Sequence, residues 1–191
     1  MTMKPSLFRQ RGASLIEVLV TAVVLAFGLL GIAVFQSKSQ VGSLESYQRA
    51  QAVILLQDMS SRLQGNLPQA ANYVVNDVGT GDTRPADCSA AAAGADHDLC
   101  EWSKSLKGAA EVDNNNKVGA MIGARGCIEQ LQTADPSAGV CRPATYQVTV
   151  AWQGMHATIA PSLACGQNSY GTDTNRRAIA VQITSPLLNC Q

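Results

Sequence analysis

Arg11-Gly12-Ala13-Ser14-Leu15-Ile16-Glu17-Val18-Leu19-Val20 joins a basic segment to a long apolar run through one glycine, and the fold follows from how that junction is read. Residues Met1 to Gly12 carry Lys4, Arg9 and Arg11 and no acid, whereas from Ala13 to Phe35 the only charge is Glu17. As a helix rising ~1.5 Å per residue the run extends about 34 Å, enough for a hydrocarbon layer of about 30 Å. Basic residues ahead of the run, and none behind it before Lys38, predict a single span with its short end in the cytoplasm and the rest of the chain outside. A cleaved secretory signal has a shorter apolar core, about 7 to 15 residues, and a small-residue cut site. A plain signal anchor accounts for everything except Glu17. An acid within such a run costs roughly 2.5 to 3.5 kcal/mol on insertion scales, and intramembrane acids are functional by default.

Beyond Gln36 the pattern becomes amphipathic without a helix breaker. Val41, Leu44, Ala52, Leu55, Met59 and Leu63 recur at helical spacing, with Gln48 interrupting the stripe and Lys38, Glu45, Arg49, Asp58 and Arg62 on polar faces. One helix is expected from Ala13 to Gln64, stopped by Gly65-Asn66-Leu67-Pro68. Its first half belongs in lipid or a filament core, and its second half should pack on a sheet. The chain therefore divides into a basic leader (1–12), a membrane or filament-core helix (13–35), an amphipathic half-helix (36–64) and a globular head (65–191).

In the head, Asn72 to Gly94 reads as an irregular connection. Asp77, Asp82 and Asp87 lack the spacing of an EF-hand and are read as turn formers, and Asp96-His97-Asp98 is too sparse a set to hold a metal. A short helix is expected from Leu99 to Val112, ended by Asp113-Asn114-Asn115-Asn116. Three strands are expected after it: Val118 to Gln130, Thr145 to Gln153 and Arg177 to Ser185. In the second, Tyr146, Val148, Val150 and Trp152 share one face and Thr145, Gln147 and Thr149 the other; in the third, Ile179, Val181 and Ile183 align. Period-two alternation indicates an antiparallel sheet with one covered face, and the long helix is its natural cover.

The composition, 46% hydrophobic and 15% charged with 14 basic and 14 acidic residues, leaves no net charge for general nucleic-acid binding. Only Arg176-Arg177 suggests a basic patch. Six cysteines, Cys88, Cys100, Cys127, Cys141, Cys165 and Cys190, all follow the apolar run, and none forms a CxxC pair. That placement fits disulfides in an oxidising compartment. Sequential pairing is expected: Cys88 with Cys100, Cys127 with Cys141 across a strand turn, and Cys165 with Cys190 at the tail. Two histidines, His97 and His156, and the absence of any nucleophile-elbow, zincin or phosphate-loop pattern argue against an enzyme or a cofactor.

The junction at Gly12 resembles the processing motif of type IV pilins and type II secretion pseudopilins: a basic leader ending in glycine, an apolar helix, and an acid at the fifth position after the glycine. The resemblance implies an α+β pilin fold, with a long N-terminal helix on a small antiparallel sheet and disulfide-tied loops. It implies that a prepilin peptidase cuts after Gly12, that Ala13 becomes the methylated N-terminus, and that Glu17 pairs with the α-amine of a neighbouring subunit. Ala13 stands where Phe or Met is most common, and Gly31 to Phe35 lacks the proline frequent in major pilins. A weaker resemblance to the PilV group of minor type IV pilins rests on Ala13 to Val20, Gly28-Leu29-Leu30-Gly31, Arg125-Gly126-Cys127-Ile128 and Tyr146 to Gly154. It implies a minor subunit that helps initiate pilus assembly near the tip and supports adhesion and twitching motility. Its partners would be other minor pilins, the major pilin and a tip adhesin, with no nucleic acid. The precursor would sit in the inner membrane, and the mature chain in the periplasm and on the cell surface. A minor pseudopilin of type II secretion and a ligand-binding adhesin or DNA-uptake pilin are the alternatives.

Overall fold

In the computed structural model residues 14–108 and 121–186 are described, together with the backbone of 112–113 and 116–117. Helix α1 covers Leu15–Gly65, one residue beyond the expected end, because no breaker intervenes before Gly65. A 3-10 turn, Leu67–Tyr73, follows with Pro68 in its first turn. The remaining elements are β1 (Val75–Gly79), α2 (Ala95–Leu106), β2 (Val112–Asp113), β3 (Asn116–Lys117), β4 (Ile122–Gln132), β5 (Ala144–Gln153) and β6 (Arg176–Ser185). The chain forms two compact units, Met1–Ser43 and Leu44–Gln191. In the second, β1, β4, β5 and β6 make a four-stranded antiparallel sheet in that order, and β2 pairs with β3 separately.

Strand β1 lies inside the stretch expected to be irregular. Its signal was weak because Asn76 and Asp77 are poor strand formers, and tertiary pairing with β4 overrides local preference. Helix α2 lies four residues earlier than expected at its start. Asp96 and Asp98 in its first turn and Lys104 in its last complement the helix dipole.

The core lies between the sheet and the two helices. Ala52, Leu56, Met59 and Leu63 of α1, with Leu99, Trp102 and Leu106 of α2, meet Ala124 and Ile128 of β4 and the expected face of β5: Tyr146, Val148, Val150 and Trp152. On α1 the stripe is rotated slightly from its expected line. Leu56 is buried, Leu55 is only partly so, and Leu44 is exposed. Gln48 does not interrupt the buried face but belongs to it, and its Oε1 has no hydrogen-bond partner.

Trp102 is the centre of this packing and is fully buried. Its indole N–H donates to the Leu55 carbonyl of α1 at 3.0 Å, while its six-membered ring packs against Gly126 of β4. A Cβ at position 126 would sit 2.2 Å from Trp102 Cη2, so only glycine admits the ring. At the end of β1, Gly79 takes φ +109°, and a Cβ there would also meet the Ala124 carbonyl at 2.7 Å.

Polar side chains close the loops around this core. Asp98, rather than contributing to a metal site, accepts hydrogen bonds from Arg62 of α1 (3.0 Å) and from the Tyr73 hydroxyl, tying the end of α1 to α2. Asp82 is the knot of the β1–α2 connection. It accepts from the Gly79 N–H (2.9 Å), the Arg84 N–H (3.1 Å), the Ser103 hydroxyl (3.1 Å) and the Lys107 ammonium. Burial alone would raise its carboxyl, but the hydrogen bond from Lys107 and those from Gly79, Ser103 and Arg84 outweigh burial and bring it down to about 2.

The outer face of the sheet is covered as well, which the alternation in β5 did not indicate. The connection from β5 to β6 folds back across it, so Thr149 and Ala151 are buried there with Cys127 and Cys165, against the half-buried Ala178. This cover explains a corrected disulfide pattern. Cys88 pairs with Cys100 as expected, but Cys127 pairs with Cys165 and not with Cys141, which excludes the Cys165–Cys190 bridge too. The physical reason is parity: Cys127 points away from the core, to the face on which the β5–β6 connection lies. Cys141 is also disulfide-bonded, and Cys190 lies outside the described residues.

The same connection also engages the Arg176-Arg177 pair. Arg176 is 1% exposed and grips Asp173 with two hydrogen bonds, 2.7 and 2.8 Å. It also donates to the carbonyls of Pro161, Leu163 and Cys165. Arg177 donates to Glu45 of α1 at 3.1 Å and to the His156 carbonyl at 2.7 Å. Both guanidinium groups are occupied by carboxylates and carbonyls of the head.

Two substitutions check this packing. Gly126→Ala should destabilise the folded chain by about 1–3 kcal/mol through overpacking against Trp102, read from denaturant unfolding in detergent. An unchanged midpoint would contradict the ring-on-backbone contact. The second concerns acid. Because the folded Asp82 carboxyl lies below its ordinary value, its contribution is complete above about pH 4 and is lost as pH falls toward 2. Asp82→Asn should remove about 2 kcal/mol at pH 7 and flatten the loss of stability between pH 5 and 2, measured by melts across that range.

Candidate functional site

The first unit contains the N-terminal part of α1. Its apolar side chains are exposed along the helix from Leu15 to Phe35. Among the described residues α1 is the one helix long and apolar enough to cross a membrane. Length and composition make this surface suited to hydrocarbon, which solvates aliphatic side chains on all sides of a helix.

Glu17 lies in the first turn of α1. Its backbone N–H donates to the Ser14 carbonyl at 2.9 Å, and the Val18 N–H reaches the same oxygen at 3.3 Å. The carboxylate therefore lies near the positive end of the helix dipole, a favourable but small effect of about 0.3–1 kcal/mol. Ser14, Glu17 and Thr21 follow at i, i+3 and i+7 and form a short polar line in the apolar surface. Thr21 satisfies its hydroxyl within the helix, donating to the Val18 carbonyl at 2.9 Å. Among the described residues no basic group reaches Glu17. The acid, in hydrocarbon, needs a cation from elsewhere. Gly12 and Ala13, on which processing was expected, lie outside the described residues.

Within the second unit, Glu45 near the start of that unit's helix has the opposite situation. Its Oε1 accepts from Arg177 Nη2 (3.1 Å) and the Met155 N–H (3.1 Å), and it lies 3.2 Å from His156 Nδ1. It joins α1 to the β5–β6 connection. The sequence marked Glu45 only as part of a polar face, since its partners are more than a hundred residues away. Among the described residues no group of three or more His, Cys, Asp or Glu side chains is placed to hold a metal.

Residues 7–33 match the family described as the prokaryotic N-terminal methylation motif. No curated protein and no solved structure matches the chain. The matched segment spans the last part of the basic leader and nearly all of the apolar run, including Gly12, Ala13 and Glu17. It supports a type IV pilin or pseudopilin, a structural rather than an enzymatic class, processed by prepilin peptidase and assembling with other pilins. The long N-terminal helix, the small four-stranded antiparallel sheet and the disulfides form an α+β, pilin-like fold. The motif and the apolar helix fit a membrane-anchored precursor.

The cost of Glu17 can be measured directly. Glu17→Leu should improve membrane integration of the α1 segment by about 2–3 kcal/mol in a translocation-based insertion assay. Equal insertion of both forms would show that the carboxylate never enters the apolar layer.

Proposed function

We propose that the chain is a minor type IV pilus subunit of the PilV kind, which helps initiate pilus assembly at or near the tip and so supports adhesion and twitching motility. Glu17 carries the reading. An acid held in the matched motif, on an apolar helix and without a cation among the described residues, suits a surface that is completed by another subunit. In this proposal prepilin peptidase removes residues 1–12 on the cytoplasmic side, Ala13 becomes the methylated N-terminus, and Glu17 pairs with the α-amine of a neighbouring subunit. At close range in a low dielectric that pairing offsets desolvation and sets how far each helix enters the assembly.

The rest of the chain is consistent with a displayed head. Disulfides fasten the β1–α2 and β5–β6 connections, as in proteins that work outside the cytoplasm. Arg176 and Arg177 are occupied within the head, which removes the one basic pair available for nucleic acid. Other minor pilins, the major pilin and a tip adhesin are the proposed partners, with the inner membrane holding the precursor and the periplasm and cell surface the mature form.

Gly12→Val should leave a membrane-bound precursor heavier by the leader, seen by mass spectrometry of the intact chain. A wild-type N-terminus at Met1 would defeat the processing step. Deleting the protein should reduce surface pili and twitching. Normal piliation with loss of protein secretion would assign the chain to type II secretion as a pseudopilin instead.

A further inference from the structure

The connection from β5 to β6 leaves the sheet beside the start of the second unit's part of α1. Residues 154–172 of that connection carry no Asp, Glu, Lys or Arg. Its first turns are pinned. The Gly154 N–H donates to the Asn175 carbonyl (2.8 Å), the Met155 N–H to Glu45 (3.1 Å) and the Thr158 N–H to the Thr174 carbonyl (2.8 Å). The carbonyls of His156 and Pro161 accept from Arg177 (2.7 Å) and Arg176 (3.0 Å). Between these anchors Ile159 is 92% exposed, and Met155 is 43% exposed. Among the described residues no large apolar side chain of the second unit is more exposed than Ile159. With the backbone fastened on both sides of it, Ile159 is held out and cannot fold inward by slack.

A lone exposed isoleucine is ordinary on a protein surface. Here it comes with an uncharged connection, a fixed backbone and a particular place in the chain. Glu45, to which the Met155 N–H is bonded, follows Phe35, the last residue of the apolar run, by ten residues of unbroken helix. Ten residues rise about 15 Å, of which a headgroup layer fills about 5–8 Å. Chain length alone keeps Glu45 within that distance of the outer end of the run, whatever angle the two units make. The loop therefore stands at the end of the head by which the chain arrives from the apolar run, and a bilayer is the apolar phase that the chain itself brings there.

We infer that the apex at residues 155–159 dips into the lipid surface from which α1 emerges, with Ile159 at the boundary between headgroups and acyl chains. Shallow apolar insertion of this kind needs a side chain that gains by leaving water and neighbours that lose little by it. The loop meets both conditions. It sets no carboxylate of its own against the lipid phosphates, and its one imidazole, His156, stays beside Glu45. The contact docks the head on the bilayer before assembly and is small enough to be given up when the helix leaves the lipid. The inference rests on the reading of the chain as a membrane-anchored precursor.

Fluorescence quenching tests it, using the full chain in vesicles of phosphatidylethanolamine and phosphatidylglycerol brominated near the headgroup end of their acyl chains. Ala160→Trp places a reporter beside the apex, and Val140→Trp places one in the exposed turn before β5, at the other end of that strand. After subtraction of the wild-type signal from Trp102 and Trp152, the reporter at position 160 should be quenched at least twice as strongly as that at position 140. Adding Ile159→Asp should bring the two level while leaving the Cys127–Cys165 bridge and the unfolding midpoint in detergent unchanged. Equal quenching at both positions would overturn the proposal, as would strong quenching at position 160 that survives Ile159→Asp. A blue-shifted but unquenched reporter at position 160 would mark cover by protein, a second copy included, and also overturn it. Extraction of the chain by alkaline carbonate would defeat the anchored reading itself. The two reporters, compared on floated vesicles before extraction, still decide the loop.

Discussion

The contact of Trp102 with the bare backbone at Gly126 is the constraint on which the head depends. One indole belongs to α2, hydrogen-bonds the α1 backbone at Leu55 and lies on β4. It therefore sets the spacing of three elements that are far apart in sequence. Aromatic burial of this size is among the largest single contributions a small core can have. The disulfides and ion pairs act further out, fastening connections to a core whose thickness the tryptophan determines.

Much of this architecture was legible from residue pattern, and its gaps have physical causes. The long helix was readable because nothing between Leu15 and Gly65 breaks it, and the face of β5 because Tyr146, Val148, Val150 and Trp152 alternate without exception. Strand β1 was not, since its residues are poor strand formers stabilised by a neighbour. The pairing of Cys127 was not either. Spacing favours the nearer Cys141, whereas strand parity and the path of the β5–β6 connection bring Cys165 to it. Glu17 was visible because a charge in an apolar run needs no tertiary information to stand out. Asp82, Arg176 and Glu45 are invisible by that measure, because a charged residue among polar neighbours in sequence acquires its role only from partners brought by folding.

Glu17 and Arg176 present the same electrostatic problem in two forms. Arg176 is removed from water and is answered within the head by a carboxylate and three carbonyl oxygens. Glu17 has no cation among the described residues, on a segment whose other side chains favour hydrocarbon. A head that satisfies its own buried charge needs no partner for that charge. A helix that leaves its acid unanswered remains open to association, and the two conditions coexist in one chain.

The Cys127–Cys165 bridge has a consequence for biogenesis. A head that enters an oxidising compartment in sequence order presents Cys141 to Cys127 before Cys165 has emerged. Thiol oxidation that simply followed the order of emergence would trap the nearer, non-native bridge. Correct maturation then requires that β4 and β5 pair early enough to turn Cys127 outward, or that a thiol–disulfide exchange catalyst reshuffle the first product. The yield of the protein would thus be governed by the redox machinery of its host as much as by its own stability.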